Sequence, residues 1–125
     1  VLGGGSWGTA LGAHLARSGH DVRLWLREGE LARAINERRE NPAYLPGIAL
    51  PQGLQATTDL VSAAGAAESV FVVIPSEFCR SIYRQLGPVV REGAVLVSAT
   101  KGIETGSLSR MTEVAAAEAP GHPLA

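Results

Sequence analysis

The stretch Val1-Leu2-Gly3-Gly4-Gly5-Ser6-Trp7-Gly8-Thr9-Ala10-Leu11-Gly12 decides the fold. Two apolar residues run into Gly3, Gly5 and Gly8, spaced G-x-G-x-x-G. Helical spacing follows at once, with Trp7, Leu11 and Leu15 at i, i+4 and i+8 and Ala10 beside them. Between a strand and a helix this spacing predicts a dinucleotide-binding turn. The first glycine allows the tight turn, the second lets backbone approach a pyrophosphate, and the third lets helix and strand pack closely. The helix N-terminus adds free N–H groups and a positive dipole end for phosphates. A purely structural glycine turn is the competing reading. Ser6 can cap the helix with its hydroxyl while its amide serves a ligand, and Trp7 either anchors the helix face or touches the cofactor. Strands commonly run about five or six residues, so Val1-Leu2 reads as the end of a strand cut short.

Outward from the turn, strands and helices alternate. Gly19 stops the first helix, and Val22-Arg23-Leu24-Trp25-Leu26 reads as a strand. Leu31, Ala34, Ile35 and Arg38 predict a helix over 30–39. Pro42, Pro46, Pro51, Gly47 and Gly53 exclude a continuous helix or central strand from 41 to 54, and a loop of that length is usually functional or mobile. A short strand over 54–57 leads to Thr58-Asp59, an N-cap for a helix through about Gly65. Residues 69–74 form the clearest strand, apolar on both faces, ended by Pro75-Ser76. A helix over 77–90 carries Phe78, Ile82 and Leu86, with Pro88 weakening its last part. A strand over 94–98 follows, and Gly106-Ser107 opens a last helix through about Glu118. Such alternation predicts an α/β fold, a Rossmann-type doubly wound, mostly parallel sheet with helices on both faces. One dinucleotide-binding domain over 1–125 is expected, truncated at both ends because the tail after Pro120 leads toward an apolar continuation.

The totals are those of an ordinary globular chain: 125 residues, 46% hydrophobic, 18% charged, net charge -1. No bulk attraction to a polyanion follows, and the basic residues gather along no one segment, so nucleic acid is not expected as a partner. The longest apolar runs fall far short of the roughly 20 residues that span a bilayer, so no membrane insertion is expected. The single cysteine, Cys79, reads as a buried structural thiol. His14, His20 and His122 are scattered without ligand spacing, so no metal site is expected. Neither a G-x-S-x-G elbow nor paired carboxylates support a hydrolase.

Two basic residues stand at informative places. An acidic residue about 20 positions after the glycines would bind a ribose 2′-hydroxyl, whereas arginine there accommodates a 2′-phosphate. Arg27 occupies that place, followed by Glu28, which predicts a preference for NADPH over NADH with dual use open. Ligands of open α/β sheets bind at the carboxyl ends of strands, where Pro75-Ser76 and Thr100-Lys101-Gly102 fall. Lys101, the only lysine of the chain, is a cation before a glycine that admits close backbone approach, suited to a carbonyl or a phosphate. An ordinary solvated lysine is the alternative.

Gly3-Gly4-Gly5-Ser6-Trp7-Gly8-Thr9-Ala10-Leu11, Leu24-Trp25-Leu26-Arg27, Arg39-Glu40-Asn41-Pro42-Ala43-Tyr44-Leu45-Pro46-Gly47, Val73-Ile74-Pro75-Ser76 and Thr100-Lys101-Gly102-Ile103-Glu104 together resemble the bacterial NAD(P)-dependent glycerol-3-phosphate dehydrogenases. Gly4 stands where that family often has alanine. The resemblance implies cytoplasmic hydride transfer between NAD(P)H and dihydroxyacetone phosphate, a small-molecule phosphate substrate, giving sn-glycerol 3-phosphate for phospholipid synthesis. It implies cofactor contacts from Gly3, Gly5, Ser6, Trp7, Gly8, Arg27, Tyr44, Pro75 and Lys101, with Lys101 also reaching the substrate. It places the general acid/base lysine in a helical C-terminal domain beyond this chain, so the piece alone is expected to bind cofactor with little turnover. A homodimer of the full-length enzyme is compatible with it. Another two-domain dehydrogenase of a small hydroxy or keto acid, and a dinucleotide-sensing module without catalysis, are the rival readings.

Overall fold

A computed structural model describes residues Val1–Ala125, which separate into two compact units, Val1–Ala63 and Ala64–Ala125. In the first, α1 (Ser6–Arg17) leads to β1 (Val22–Trp25), α2 (Gly29–Arg38), β2 (Leu54–Thr57) and α3 (Leu60–Ala64), the last crossing the boundary by one residue. Strands β1 and β2 pair in parallel, Val22 opposite Leu54 through Trp25 opposite Thr57. Leu2 makes a parallel bridge to Trp25 on the other side of β1. The order β2, β1, Leu2 segment is that of one mononucleotide-binding half of a doubly wound sheet. Val22, Leu24, Leu54 and Ala56 are buried while their neighbours Arg23 and Gln55 are exposed, so the alternation of the pleat puts the apolar set on one face.

Helix α1 packs by its small residues. Gly8, Thr9, Gly12 and Ala13 are buried, and a Cβ on Gly12 would lie 3.0 Å from Leu54 Cδ1. Of the two readings of Trp7, the structure excludes the anchor: the residue is 53% exposed, because the helix approaches the strands too closely for a large side chain on the facing stripe. Helix α2 is closed by its C-cap Arg39, whose left-handed φ of 55° ends the turn. From there the Arg39 guanidinium donates to the carbonyls of Pro51 and Leu54. The Pro/Gly-rich loop is held at further points, by Arg17 Nη2 to Ala49 O at 2.9 Å and by Gly47 N to Glu40 Oε1 at 2.8 Å. Asp59 caps α3 as expected, its Oδ1 accepting from the amides of Val61 and Ser62.

The second unit contains β3 (Ser69–Val72), α4 (Ser76–Leu86), β4 (Val95–Ser98) and α5 (Met111–Glu118). Strands β3 and β4 pair in parallel from Ser69 opposite Val95 to Val72 opposite Ser98, and Leu124 bridges Leu96 in parallel on the far side of β4. Helix α4 stops at Leu86, short of the expected Val90, since Pro88 has no N–H to continue the ladder. Its core face is Cys79, Ile82, Tyr83 and Leu86, while Phe78 is exposed. Helix α5 begins at Met111, five residues after the expected start. Gly106 and Leu108 have φ of 102° and 59°, which a right-handed helix cannot contain. They turn a small hairpin in which Ile103 bridges Arg110 and Glu104 N donates to Ser109 O at 2.9 Å. The helix starts only beyond it, where Arg110 N donates to Glu113 Oε2.

Candidate functional site

The glycine turn is built by three different constraints. Gly3 donates its N–H to Trp25 O at 2.9 Å and has φ of 127°, a conformation that strains any residue with a Cβ. Gly4 lies flat on the end of β1, where a Cβ would come within 2.7 Å of Leu26 Cβ. Gly5 is the extended N-cap of α1, and a Cβ there would meet nothing within 4 Å. No side chain caps the helix. Its first backbone bond runs from Thr9 N to Gly5 O at 2.9 Å, so the amides ahead of Thr9 in the first turn keep free N–H groups at the positive end of the dipole.

Ser6 does not cap. Its Oγ donates across to Tyr44 O at 2.6 Å and ties the glycine turn to the Pro/Gly loop. Tyr44 N in turn donates to Asn41 Oδ1 at 3.0 Å, leaving the Tyr44 ring 46% exposed on a backbone fixed at both its N–H and its C=O. Asn41 is the residue that sequence reasoning missed. It is fully buried, and its Nδ2 donates to Gly4 O at 2.9 Å and to Thr9 Oγ1 at 2.8 Å. One amide therefore holds the turn, the first helical turn and the loop together. The available signal was an asparagine just before Pro42 at the head of a long loop, a position where short polar side chains bond nearby backbone. Arg27 follows the end of β1 by two residues and is exposed.

In the second unit Pro75 is the N-cap of α4, with φ of -57°, so it has no amide N–H to offer a ligand. Lys101 lies exposed beyond β4, and Gly102 beside it has φ of 95°, with Ser76 Oγ 3.9 Å from the position of a Cβ. Cys79 is buried with Thr100 Oγ1 at 3.5 Å from its Sγ. Burial pushes its thiol pKa up, which makes it the inert thiol expected. Gly3, Gly5, Ser6, Trp7, Gly8, Arg27 and Tyr44 thus belong to the first unit, Pro75 and Lys101 to the second.

A dinucleotide fits the glycine turn on its own geometry. The open space over Gly5 is where a Cβ would otherwise intrude, and uncapped N–H groups converge beside it without a competing carboxylate in the first helical turn.

Comparison with known proteins points to one family. A family model described as the NAD-dependent glycerol-3-phosphate dehydrogenase N-terminus matches residues 1–125. A glycerol-3-phosphate dehydrogenase, NAD(P)+, of Rhodospirillum rubrum is 49% identical over 125 residues, 100% of this chain and 36% of that protein. One from Stenotrophomonas maltophilia is 51% identical over 115 residues, 92% of this chain and 34% of its own length. The chain thus spans about a third of the relatives it matches. The crystal structure of glycerol-3-phosphate dehydrogenase from Coxiella burnetii superposes with a TM-score of 0.90 at 33% identity, over 98% of this chain and 38% of that one. The enzyme of Saccharomyces cerevisiae gives 0.84 at 30% identity, over 94% and 37%.

Proposed function

This chain belongs to the NAD-dependent glycerol-3-phosphate dehydrogenase N-terminal family, and we propose that it is the cofactor-binding part of an enzyme that reduces dihydroxyacetone phosphate to sn-glycerol 3-phosphate with NAD(P)H. The uncapped N-terminus of α1 over the open Gly5 is the observation that carries this reading. The cofactor is NAD or NADP. When bound, the nicotinamide supplies or accepts the hydride.

The residues divide the work. Gly3, Gly5 and Gly8 shape the turn, and the amides of Ser6, Trp7 and Gly8 take the pyrophosphate. Trp7 and Tyr44, both exposed aromatics of the first unit, pack against the dinucleotide, and Ser6 keeps Tyr44 in register through its carbonyl. Arg27 pairs with the 2′-phosphate of NADPH, and Pro75 borders the cofactor. Lys101 contacts the substrate and the nicotinamide end of the cofactor, where its charge stabilises negative charge developing on the carbonyl oxygen. On this reading the product feeds phospholipid synthesis in the cytoplasm.

The test is NADPH oxidation by the full-length protein with dihydroxyacetone phosphate and with unphosphorylated dihydroxyacetone. Turnover that requires the phosphate ester is expected. Tight NADPH binding without turnover on the phosphate would move the reading to a dehydrogenase of another substrate or to a sensing module.

A further inference from the structure

Lys101 makes no hydrogen bond or ion pair within the protein. Its placement therefore depends on its backbone, which is fastened on both sides. Ahead of it, Ala99 N donates to Val72 O at 2.9 Å, and Thr100 Oγ1 donates to the same carbonyl at 3.2 Å. Behind it, Glu104 stands at the base of the hairpin closed by the Ile103 to Arg110 bridge. The Glu104 carboxylate receives Arg80 in a two-pronged pair, Nε to Oε1 and Nη2 to Oε2, each 2.7 Å. Ser107 Oγ donates to the same Oε2 at 2.5 Å. The third nitrogen of Arg80, Nη1, donates to Glu118 Oε1 at 2.5 Å, and Glu118 Oε2 also accepts from Arg84 at 2.9 Å. The Glu104 and Glu118 side chains are only 16% and 14% exposed. One guanidinium thus fastens the hairpin to α4 and α5 at once, leaving Lys101-Gly102-Ile103 as a short span between two fixed ends.

We propose that Arg80, through its two-pronged pair with Glu104 and its bond to Glu118, is a positioning residue that sets Lys101 for the substrate. The proposal rests on the role assigned to Lys101 above. A lysine at position 80 would keep the charge and lose the planar fork that engages both oxygens of Glu104 while still reaching Glu118. The hairpin would then keep its backbone bonds but lose its tether.

The test uses the full-length enzyme as wild type, Arg80→Lys, Lys101→Ala and the double variant, reading NADPH affinity by fluorescence and kcat/KM for dihydroxyacetone phosphate. Arg80→Lys is expected to lower kcat/KM by about tenfold or more, the scale of a small misplacement of a reacting group, with NADPH affinity within about threefold. In the Lys101→Ala background it should add less than about twofold, because residues that act as a unit are not additive. Losses that multiply in the double variant, or unchanged kinetics in Arg80→Lys, would overturn the proposal. Unchanged kinetics in Lys101→Ala would instead remove the underlying role of Lys101, whatever Arg80 does. If Arg80→Lys loses its folded circular dichroism spectrum, Glu104→Gln, which weakens the same pair while conserving shape, carries the same comparison.

Discussion

At the scale of single residues, Asn41 and Gly5 separate holding the turn from holding the ligand. Removing the Asn41 amide takes the acceptor from Tyr44 N and one of two partners from each of Gly4 O and Thr9 Oγ1, which keep only their 3.2 Å bond to each other. Asn41→Ala should therefore cost about 1–3 kcal/mol, from lost bonds to buried groups, read as a lower urea midpoint; an unchanged midpoint would mean that water replaces the amide. Gly5 is the opposite case, since its φ of -71° suits any residue and nothing crowds its Cβ position. Gly5→Ala should leave stability within about 0.5 kcal/mol yet weaken NAD(P)H by tenfold or more, roughly 1.4 kcal/mol, because the methyl group fills the space proposed for the pyrophosphate. Equal affinity in titration calorimetry would remove the diphosphate from this turn. Arg27→Ala should weaken NADPH more than NADH in the same titrations, and equal losses would free Arg27 of the 2′-phosphate.

Among elements, α1 shows how packing overrides a hydrophobic pattern. The spacing of Trp7, Leu11 and Leu15 correctly predicts a helix, but its core face is the stripe of Gly8, Thr9, Gly12 and Ala13. The third glycine of the motif already implied close helix–strand contact; the burial of Gly12 extends that contact by one turn. A Gly12→Leu side chain would be driven into Leu54 Cδ1 and Val22 Cγ1, 3.0 and 3.6 Å from the Cβ position. It should destabilise the protein by about 1–3 kcal/mol, while Leu11→Ala, on a half-buried face, should cost less. A reversed order in thermal melts would put the core on the large residues after all. Helix α5 teaches a related point, because the positive φ at Leu108 has no signature in a non-glycine residue.

On the scale of the whole molecule, charge pairs link pH to stability. Arg80, with help from Ser107, holds the Glu104 carboxyl at about 2, and Arg110 and Arg84 hold Glu113 and Glu118 below the usual carboxylate range. A carboxyl whose pKa is lower folded than unfolded takes up a proton on unfolding in acid, so its contribution is complete above the unfolded value and drains as pH falls through the folded one. For Glu104 that window runs from about 4.5 down to about 2. Melting temperature followed across this range should fall steadily, and Glu104→Gln should flatten the fall. Equal slopes in the two proteins would show that the Arg80 pair does not couple to folding.

The glycine spacing, the alternation of strands and helices, and the Asp59 cap were legible in the sequence, since each depends on neighbours within a few positions, where backbone geometry and period leave one answer. The resemblance carried by five separate segments extended that reading to the family. The polar ties were not legible. Ser6 to Tyr44, Asn41 to Gly4 and Arg80 to Glu104 and Glu118 join residues 38, 37, 24 and 38 positions apart. A hydrogen bond between distant groups leaves no periodic trace, because its partners are chosen by which carbonyls and carboxylates the packed elements bring within about 3 Å. Sequence alone determined that this chain would make a strand, a glycine turn and a helix in the order of a dinucleotide-binding motif. Only the tertiary structure decided which polar groups hold that turn and which carboxylates Arg80 engages, because packing alone brings such distant partners together.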